Sequence, residues 1–347
     1  MEKIVECVPN FSEGRDRQII DAVAAEITAV DKVKLLGVDP DRDYNRTVVT
    51  FVGEPQAVVQ AAFAATQRAA QLIDMTKQKG EHPRLGATDV VPFVPVSGVT
   101  MEECVQLAHQ YGQQVGEKLG IPVYLYEEAA TRPERRNLAK VRKGEYEGLA
   151  EKLRDPQWKP DYGPQIFNAK SGGTIAGARV FLIAYNVNLA TNDVAIAQTI
   201  AQNIRESGRV LKDDKGQTIH DQMGKTKRVP GTLKAVKAMG VLLEEHDIAQ
   251  VSINLVNYKV TPPHVAFEEV KKEGAKLSVE VTGSEIVGLT PLEALLMAAR
   301  YHLSSQGKRA DLTERELVAV TADYLGLSQL GTFEPDQKVI EFQIGAL

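Results

Sequence analysis

The chain has 347 residues, of which 43% are hydrophobic and 25% are charged, a composition typical of a folded globular protein and not of a disordered one. Its length exceeds what a single hydrophobic core usually serves, so we expect two domains or lobes. The formal net charge of -5 argues against nucleic acid as a partner. Neither an apolar run of membrane-spanning length nor a signal-peptide core is present, which predicts a cytoplasmic protein with no membrane partner.

The two cysteines, Cys7 and Cys104, are too few for a disulfide framework and favour a reduced compartment. Cys7 lies in the apolar, strand-like run VECV without an electropositive neighbour in sequence. We therefore interpret it as a packed thiol and not as a nucleophile. Neither cysteine suggests a metal site, and we predict that the protein binds no metal.

The first half of the chain predicts the element order βαββα. A short apolar run is followed by the turn residues PNFSEGR and by an apolar-periodic helix, and two more strand-like runs lead into a long amphipathic helix. The predicted strands are 3–8, 34–39 and 47–53, and the predicted helices are 16–27 and 54–73.

The second half repeats this order, with strands at 178–189, 236–243 and 249–258 and helices at 192–204 and 263–275. We therefore predict an α/β protein of the α+β kind, built from two similar βαββα lobes. Each lobe would have a mainly antiparallel sheet with helices packed on one face, and the other face would meet a ligand, water or the partner lobe.

Two segments interrupt this pattern. The Pro- and Gly-rich stretch 155–177 lacks periodicity, and we predict that it links the lobes, with a boundary near Ala178 and domains at 1–178 and 179–347. The charged insert between Leu211 and Leu233 is interpreted as a mobile loop. Covering a site and forming plain surface remain equal alternatives for it.

The segment EHPRLGATD, residues 81–89, contains the first candidate for catalysis. It has neither helical nor strand periodicity, so His82 has no core-packing reason to be there. An imidazole is the side chain whose ordinary pKa lets it give and take protons near neutral pH. A histidine beside a proline is also common in ordinary surface turns. The neighbouring segments decide whether His82 is a catalytic residue or an ordinary surface residue.

Three aspartates at alternate positions, Asp39, Asp41 and Asp43, match the start of a calcium-binding EF-hand loop. That loop needs Gly at its sixth position and Glu at its twelfth, where this chain has Tyr44 and Thr50, so calcium is rejected. Asp39, at the end of a predicted strand, is the better candidate to orient an imidazole or to hold a leaving amine. A solvated turn explains the other two aspartates equally well.

The glycine-rich stretch KSGGTIAGAR matches no nucleotide-binding fingerprint. Gly172 and Gly177 have the Walker spacing, but Ala178 and Arg179 replace the required Lys and Ser/Thr. Gly172 with its neighbour Gly173 would allow a flat ligand to approach the backbone closely, or would serve as a hinge between lobes.

Two further groups of polar residues are candidates for ligand contacts. Asn186 and Asn188 lie two apart on a predicted strand, so their amides point to the same face and could read a heterocycle or a carboxylate. The equal alternative is that both amides make hydrogen bonds only within the protein. The basic run 132–143 favours a solvated helix face whose arginines pair with acids, with a polyanionic ligand as the alternative.

Six segments in one order resemble the glutamate formimidoyltransferase family, and the resemblance covers nearly the whole chain. They are VPNFSEGR (8–15), DPDRDYNRTVVTF (39–51), EHPRLGATDVVPFVPV (81–96), DYGPQIF (161–167), GARVFLIAYNVNL (177–189) and GSEIVGLTPLEAL (283–295). The resemblance implies two subdomains whose sheets face each other around a folate tunnel, with helices outside. It implies transfer of the formimino group of N-formimino-L-glutamate to N5 of tetrahydrofolate, a step of histidine breakdown.

The resemblance also implies roles for individual residues. His82, in the HPR motif, would be the catalytic residue. On chemical grounds, and not from the resemblance, Asp39 would fix the tautomer of that imidazole and stabilise the imidazolium. The family's folate-binding segment falls on 163–172, where Gly163, Pro164, Phe167, Lys170 and Gly172 are the candidate contacts. From their side-chain chemistry alone, Arg84 and Lys170 would hold carboxylates of glutamate or of the folate tail through charge-assisted hydrogen bonds, and Asn10, Asn186 and Asn188 would read polar edges.

Further expectations follow from the same resemblance. Tetrahydrofolate would be a co-substrate, the protein would be a homodimer, and the chain would be the form that lacks a fused cyclodeaminase domain. The sequence leaves open formyl transfer or cyclisation of 5-formyltetrahydrofolate, and a folate-binding protein without turnover. An RNA-binding module is disfavoured because the aromatic RNP1 string is absent and the charge is wrong.

Overall fold

The computed structural model describes residues 3–80, 82–221 and 223–345. The chain forms two compact units, one ending at Val180 and one running from Phe181 to Gly345. Each unit is a mixed α/β structure in which helices pack on a sheet, as the sequence predicts.

The first unit contains the predicted βαββα order followed by further elements that the periodicity did not reveal. Its strands are β1 (Ile4–Cys7), β2 (Asn10–Phe11), β3 (Val33–Asp41), β4 (Arg46–Gly53), β5 (Thr88–Ser97), β6 (Val123–Glu127) and β7 (Thr174–Ala178). Its helices are α1 (Arg17–Thr28), α2 (Pro55–Leu72), α3 (Met101–Leu119), α4 (Leu138–Arg142) and α5 (Leu149–Lys152).

The sheet of the first unit is mainly antiparallel. β1 and β2 both lie between β4 and β5, and β3 pairs with β4 on the outside. On the other side β7 pairs in parallel with both β5 and β6. The order β3, β4, β1/β2, β5 is the split βαβ arrangement of a βαββαβ unit, extended by two parallel strands.

Two apolar clusters cover the two faces of this sheet. The larger one lies under α1, α2 and α3 and contains Phe51, Phe93 and Tyr111, together with the buried thiols Cys7 and Cys104. The smaller one joins β5, β6 and β7 to the segment of α4 and α5. Both cysteines are free, and the interpretation of Cys7 as a packed thiol is confirmed.

The cross-strand register defines which side chains share the face of β3 and β4 that is turned away from α1 to α3. Thr47, Val49 and Phe51 are buried on the helix side, so the alternate residues of β4 point the other way. Asp41 lies directly opposite Arg46, and Asp39 directly opposite Val48. Both aspartates are therefore on the same face as Arg46.

The prediction that all of 155–177 is an unstructured link is wrong at its C-terminal end. Thr174–Ala178 forms β7, a fully buried strand between β5 and β6. The strand was hidden in the sequence because both of its faces are buried, so its side chains do not alternate, and because it carries a glycine. A Cβ at Gly177 would lie 2.4 Å from the ring of Tyr126, so only glycine fits there.

The second unit repeats the topology of the first. Its strands are β8 (Ile183–Leu189), β9 (Arg209–Val210), β10 (Arg228–Val229), β11 (Val236–Leu243), β12 (Ile248–Leu255) and β13 (Val281–Val287). Its helices are α6 (Val194–Ile204), α7 (Pro263–Lys276), α8 (Leu292–Ser305), α9 (Glu314–Leu325), α10 (Pro335–Lys338) and α11 (Ile340–Ile344). β11, β12, β8 and β13 form an antiparallel sheet in that order, so the predicted duplication is confirmed.

The charged insert of the second unit folds as a hydrogen-bonded hairpin. β9 and β10 pair at its base, and isolated bridges join Lys212 to Thr218 and His220 to Thr226. The carboxylates of Asp213 and Asp221 each accept backbone N–H groups of the following turn. Its predicted mobility and its role as a cover stay predictions.

In the part of the chain that the structure describes, no helix has both the length and the apolar character that crossing a bilayer requires.

Candidate active site

The loop that carries His82 is tied by backbone hydrogen bonds to two other motif segments of the first unit. Ala87 N donates to Ser171 O at 2.8 Å, and Gly173 N donates to Leu85 O at 3.1 Å. Ser12 N donates to Ala87 O at 2.9 Å. The segments around Ser12, His82 and Ser171, far apart in sequence, therefore form one rigid backbone framework.

A second set of contacts fixes the tip of the β3–β4 hairpin against the same framework. Gly14 N donates to Asn45 Oδ1 at 3.0 Å, and a Cβ on Gly14 would lie 2.0 Å from Asp41 O. A Cβ on Gly80 would lie 2.2 Å from Tyr44 O. Because only glycine permits these approaches, the hairpin tip sits between residues 14 and 80, next to His82.

His82 itself is half-buried beside the hairpin tip. Its ring centroid lies 5.8 Å from that of Tyr44. Its Nδ1 is buried and has no hydrogen-bond partner among the described residues. Burial, followed by the positive charges of Arg46 and Arg142, lowers the pKa of His82 to about 4, against smaller opposing effects of the Pro83 backbone and of the charge of Asp41. The imidazole is therefore neutral at neutral pH and able to accept a proton.

The two arginines near His82 are each anchored by a buried polar side chain. Arg46 Nη1 donates to Asn10 Oδ1 at 2.6 Å, and Asn10 Nδ2 donates to Val8 O at 3.0 Å. Arg142 Nη2 donates to Asp89 Oδ2 at 2.6 Å. The predicted contact residue Asn10 is thus engaged in holding Arg46.

Asp89 connects Arg142 to the histidine loop. Its second oxygen, Oδ1, accepts the backbone N–H of Leu85 at 2.8 Å, and the side chain is 1% exposed. Burial raises the pKa of Asp89, and the charge of Arg142 opposes that shift. One buried carboxylate therefore fixes both the loop of His82 and the direction of a neighbouring guanidinium.

No direct hydrogen bond joins Asp39 to His82 among the described residues, and the buried Nδ1 of His82 has no partner there. Asp39 is exposed and lies two residues from Asp41 on the same face of β3. Asp41 Oδ1 accepts the backbone N–H groups of Asp43 at 3.0 Å and Tyr44 at 2.8 Å. Asp41 therefore caps the turn, as the alternative interpretation held, and its charge also acts on His82.

Arg84, predicted to hold a substrate carboxylate, already contacts two glutamates of the protein. Its Nη2 donates to Glu147 Oε1 at 2.7 Å and to Gln78 O at 3.1 Å, and its Nη1 lies 3.4 Å from Glu145 Oε2. Its side chain is 11% exposed. Its role toward a substrate stays a prediction, and any ligand would have to displace these glutamates.

The predicted folate segment 163–172 borders this framework. Gly163 and Gly172 have φ of 78° and 68°, and a Cβ on Gly172 would lie 2.4 Å from Leu85 O. The ring of Phe167 lies 5.5 Å from that of Tyr146, centroid to centroid, and Pro164 is half-buried. Lys170 is exposed and its Nζ donates to Gln71 O at 2.8 Å.

Asn186 and Asn188 lie in the second unit. The prediction that they share one face of a strand is confirmed, because both contact Gln250. Asn186 Nδ2 donates to Glu285 Oε1 at 2.9 Å and to Gln250 Oε1 at 3.4 Å. Gln250 Nε2 donates to Asn188 Oδ1 at 2.7 Å, and Asn188 Nδ2 donates to Gln329 Oε1 at 2.6 Å. Both amides are thus engaged within the protein, and their ligand contacts stay predictions.

The basic run 132–143 is explained mainly by internal partners. Arg135 is fully buried and its Nη1 donates to Asp161 Oδ2 at 2.6 Å, while Arg136 and Arg142 pair with Glu128 and Asp89. The interpretation that its arginines pair with acids is confirmed for these three.

The two units correspond to two known sequence families. Residues 4–179 match the family described as the formiminotransferase domain, N-terminal subdomain, and residues 184–345 match the formiminotransferase domain. The chain belongs to the formiminotransferase family. The resemblance carried by the six motif segments is thereby confirmed.

Individual formiminotransferase relatives agree with this assignment. The chain is 46% identical over 303 residues to the glutamate formimidoyltransferase of Streptococcus pyogenes serotype M1, covering 87% of this chain and 94% of that protein. It is 45% identical over 317 residues to the glutamate formimidoyltransferase of Thermoplasma acidophilum, covering 90% of this chain and 97% of that protein.

A third relative is the formimidoyltransferase-cyclodeaminase of Dictyostelium discoideum, 48% identical over 345 residues, which are 99% of this chain and 61% of that protein. The chain thus spans about three fifths of the length of the formimidoyltransferase-cyclodeaminases that it matches.

Sequence reasoning missed four residues around His82 in this formiminotransferase fold: Tyr44, Arg46, Asp89 and Arg142. Three of them lie inside quoted motif segments, so a signal was present. The acid Asp89 interrupts an otherwise apolar strand run, and a buried carboxylate needs a partner. Its partner Arg142 lies 53 positions away along the chain, and the sequence showed it only as one member of the basic run 132–143 and not as the partner of Asp89.

Proposed function

We propose that this protein transfers the formimino group from N-formimino-L-glutamate to N5 of tetrahydrofolate, giving 5-formiminotetrahydrofolate and L-glutamate in histidine degradation. The observation that supports this most is the half-buried, neutral imidazole of His82 in a rigid framework of motif segments. The printed names of the relatives from Streptococcus and Thermoplasma support the same reaction.

The proposed reaction moves one carbon and two protons. N5 of the reduced pterin attacks the amidine carbon, and the tetrahedral intermediate collapses with cleavage of the bond between that carbon and the glutamate nitrogen. N5 loses a proton as its new bond forms, and the departing nitrogen gains one. A single imidazole that begins neutral can take the first proton and return it to the leaving group.

His82 is the proposed base and acid. Its lowered pKa keeps it unprotonated before the attack, and makes its imidazolium a strong proton donor afterwards. The donor, the folate and the imidazole of His82 must all meet for the reaction. Binding both substrates beside His82 lets them react within one complex, and this is the main contribution of binding.

Asp39 is proposed to interact with the donor and not to fix His82. An amidine is positively charged near neutral pH, and an exposed carboxylate on the face of Asp41 and Arg46 is a suitable partner for it. When the carbon–nitrogen bond breaks, the same carboxylate would hold the leaving amine.

The folate is proposed to lie along 163–172 as a co-substrate. Phe167 offers a ring against which a flat pterin or benzoyl group can pack, and the exposed Lys170 offers a charge to the glutamyl tail. Asn186 and Asn188, in the second unit, would read polar edges of a ligand. A homodimeric state and a cytoplasmic location belong to the same proposal, and the two buried free cysteines suit a reduced compartment.

The test is a transfer assay with each donor. Purified protein would be incubated with tetrahydrofolate and N-formimino-L-glutamate, with N-formyl-L-glutamate, or with 5-formyltetrahydrofolate alone, and the folate product would be identified by mass spectrometry. We expect 5-formiminotetrahydrofolate and L-glutamate in equal amounts from the first mixture. Turnover of the formyl donor or of 5-formyltetrahydrofolate in its place would overturn the assignment. If the protein binds folate but forms no product from any mixture, it is a folate-binding protein and not a transferase.

A further inference from the structure

Two arginines beside His82 remain without a role in the proposed transfer. Arg46 projects from β4 on the face that also carries Asp39 and Asp41, and Arg142 ends α4 and reaches the same place through Asp89. Both act on the charge state of His82, and Arg46 and Arg142 also act on each other. Arg46 follows closely on Tyr44, whose ring contacts His82, and Asp89 ties Arg142 to the backbone of Leu85 in the histidine loop. Both guanidinium groups are therefore anchored beside the segment that carries the imidazole.

The hydrogen bonding of these arginines differs from that of the structural arginines nearby. Arg84 and Arg135 each use both terminal nitrogens for protein acceptors. Arg46 is anchored through Nη1 to Asn10, and Arg142 through Nη2 to Asp89, each at 2.6 Å. One edge of each guanidinium is thus fixed in direction and the rest is available for a planar acceptor.

Buried nitrogens without partners are also present here. Within the described residues, Nε of Arg46, Nε of Arg142 and Nδ1 of His82 are buried and lack a hydrogen bond. Nε of Arg84 and Nε of Arg135 lack one as well, so it is the terminal nitrogens that set Arg46 and Arg142 apart. An N–H that is removed from water and left unsatisfied costs free energy, so such a group is expected to meet an acceptor when the protein is in its working state.

The nearby carboxylates do not use up the hydrogen-bonding capacity of the two guanidinium groups. The two arginines face the carboxylates of Asp89 and Asp41, and Tyr44 is the other titratable group in contact with His82. The carboxylate of Asp41 accepts hydrogen bonds from backbone N–H groups of its own turn. One oxygen of Asp89 accepts from Arg142, and the other accepts from the backbone N–H of Leu85. Neither carboxylate therefore satisfies both guanidinium groups.

We propose that Arg46 and Arg142 form a carboxylate-binding site beside His82, which receives one carboxylate of a glutamate moiety and sets the distance between the reacting carbon and the imidazole. Asn10 and Asp89 are its positioning residues, since each holds one guanidinium in direction. The proposal rests on the proposed function for the identity of the ligand.

A glutamate carboxylate reaches this site from one of two sources. The donor carries two carboxylates on the glutamate that leaves, and the folate carries others on its glutamyl tail. Both present the same planar acceptor, which a guanidinium binds through paired N–H groups. The variants below distinguish the two sources because each ligand is titrated separately.

The experiment measures equilibrium binding of N-formimino-L-glutamate and, separately, of 5-formyltetrahydrofolate to the intact chain by calorimetry, for wild type, Arg46→Gln and Arg142→Gln. Loss of a charge-assisted contact is expected to weaken binding about ten- to a hundredfold. We expect that weakening for one ligand only, with the other within about twofold, and Arg142→Lys should recover part of it because it keeps the charge. If only the donor binds more weakly, the carboxylate at this site belongs to the glutamate of the donor. If only the folate binds more weakly, it belongs to the glutamyl tail of the folate.

Two controls keep the outcome interpretable. Arg136→Gln removes an exposed arginine from the same segment and should leave both affinities unchanged. Because Arg142→Gln strands the buried Asp89, the double variant Asp89→Asn/Arg142→Gln replaces the ion pair with a neutral hydrogen-bonded pair and should show the same selective loss.

The site is overturned if Arg46→Gln and the double variant bind both ligands as wild type does, or if wild type binds neither. Failure of the proposed function is a separate result: wild type would bind both ligands and transfer nothing, and the selective losses would still establish the carboxylate site.

Discussion

The ring of Tyr44 lies 5.8 Å from the imidazole of His82, centroid to centroid, at an interplanar angle of 57°. Tyr44 belongs to the turn between Asp41 and Arg46, the residues that join β3 to β4. A hairpin tip therefore forms one wall beside the histidine, without using the ring nitrogens. Nδ1, which has no hydrogen-bond partner among the described residues, remains available for proton transfer.

The first prediction concerns His82 as the proton carrier. His82→Ala should lower the turnover number by about 10²- to 10⁴-fold, the usual contribution of a positioned acid–base group. Steady-state transfer assays at saturating substrate check this. His246→Gln, which changes an exposed histidine of the second unit, should leave turnover unchanged. Turnover above about a tenth of wild type in His82→Ala would remove the histidine from the mechanism.

The second prediction concerns the pKa of His82. Proton NMR of the imidazole should give a midpoint at about 4, so the base form persists as pH falls from neutral and is lost only near that value. Arg46→Gln should raise the midpoint, because removing a positive charge favours the imidazolium. Asp41→Asn should lower it, because a negative charge is removed. A wild-type midpoint within about 0.5 of the ordinary 6.5 would contradict the described surroundings.

The third prediction separates two roles for Asp39. If its carboxylate holds the amidine, Asp39→Asn should raise the KM for the donor and lower kcat/KM by about ten- to a hundredfold, as for loss of a charge-assisted hydrogen bond. The NMR midpoint of His82 should move little. A large shift of that midpoint with an unchanged donor KM would instead assign Asp39 to the imidazole, the role first expected from sequence.

The fourth prediction uses two glycines with positive φ. Gly172 has φ of 68° and a Cβ there would lie 2.4 Å from Leu85 O, whereas Gly216 has φ of 78° and open space around it. Gly172→Ala should displace the His82 loop and cost about 10²-fold in kcat/KM. Gly216→Ala should carry only the backbone strain of about 1–2 kcal/mol, without loss of transfer. Equal effects of the two changes would show that crowding at Leu85 does not matter.

The fifth prediction concerns the buried ion pair of Arg135 and Asp161. Arg135 also lies 5.3 Å from the ring centroid of Tyr124 and 5.7 Å from that of Trp158. Arg135→Met should strand the carboxylate and destabilise the first unit by about 3–5 kcal/mol. Trp158 is the single tryptophan of the chain, so urea unfolding followed by its fluorescence reports on this unit.

The exposed pair of Arg136 and Glu128 provides the control for this experiment. Arg136→Gln should change the free energy of unfolding by no more than about 1 kcal/mol. If the two variants unfold at the same urea concentration, the buried pair is not what holds the segment of α4 and α5.

Much of the fold was available from local patterns. The βαββα order of both halves follows from alternation in the strands and from helical periodicity in α1, α2, α6 and α7, since these elements bury one face and expose the other. β5 and β7 were not recognised because they are buried on both faces and carry no alternation. The strand of Thr174–Ala178 therefore appeared to be part of a link.

The candidate site divides in the same way. A histidine in an aperiodic polar loop can be noticed from sequence because no packing pattern explains it, so His82 was a candidate before the structure was known. The roles of three other residues, Arg46, Asp89 and Arg142, can be recognised only from strand register and burial. Arg46 lies opposite Asp41 across a hairpin, and Asp89 pairs with Arg142, which is far away in the chain.

The sequence by itself determined the family, the duplicated order of strands and helices, and the histidine on which the proposed chemistry depends, because these are local patterns of residue type and spacing. Only the tertiary structure decided which charges surround that histidine and which arginines are occupied by the protein's own carboxylates. The physical reason is that electrostatic and hydrogen-bond partners depend on distance in space, which strand register and loop packing set.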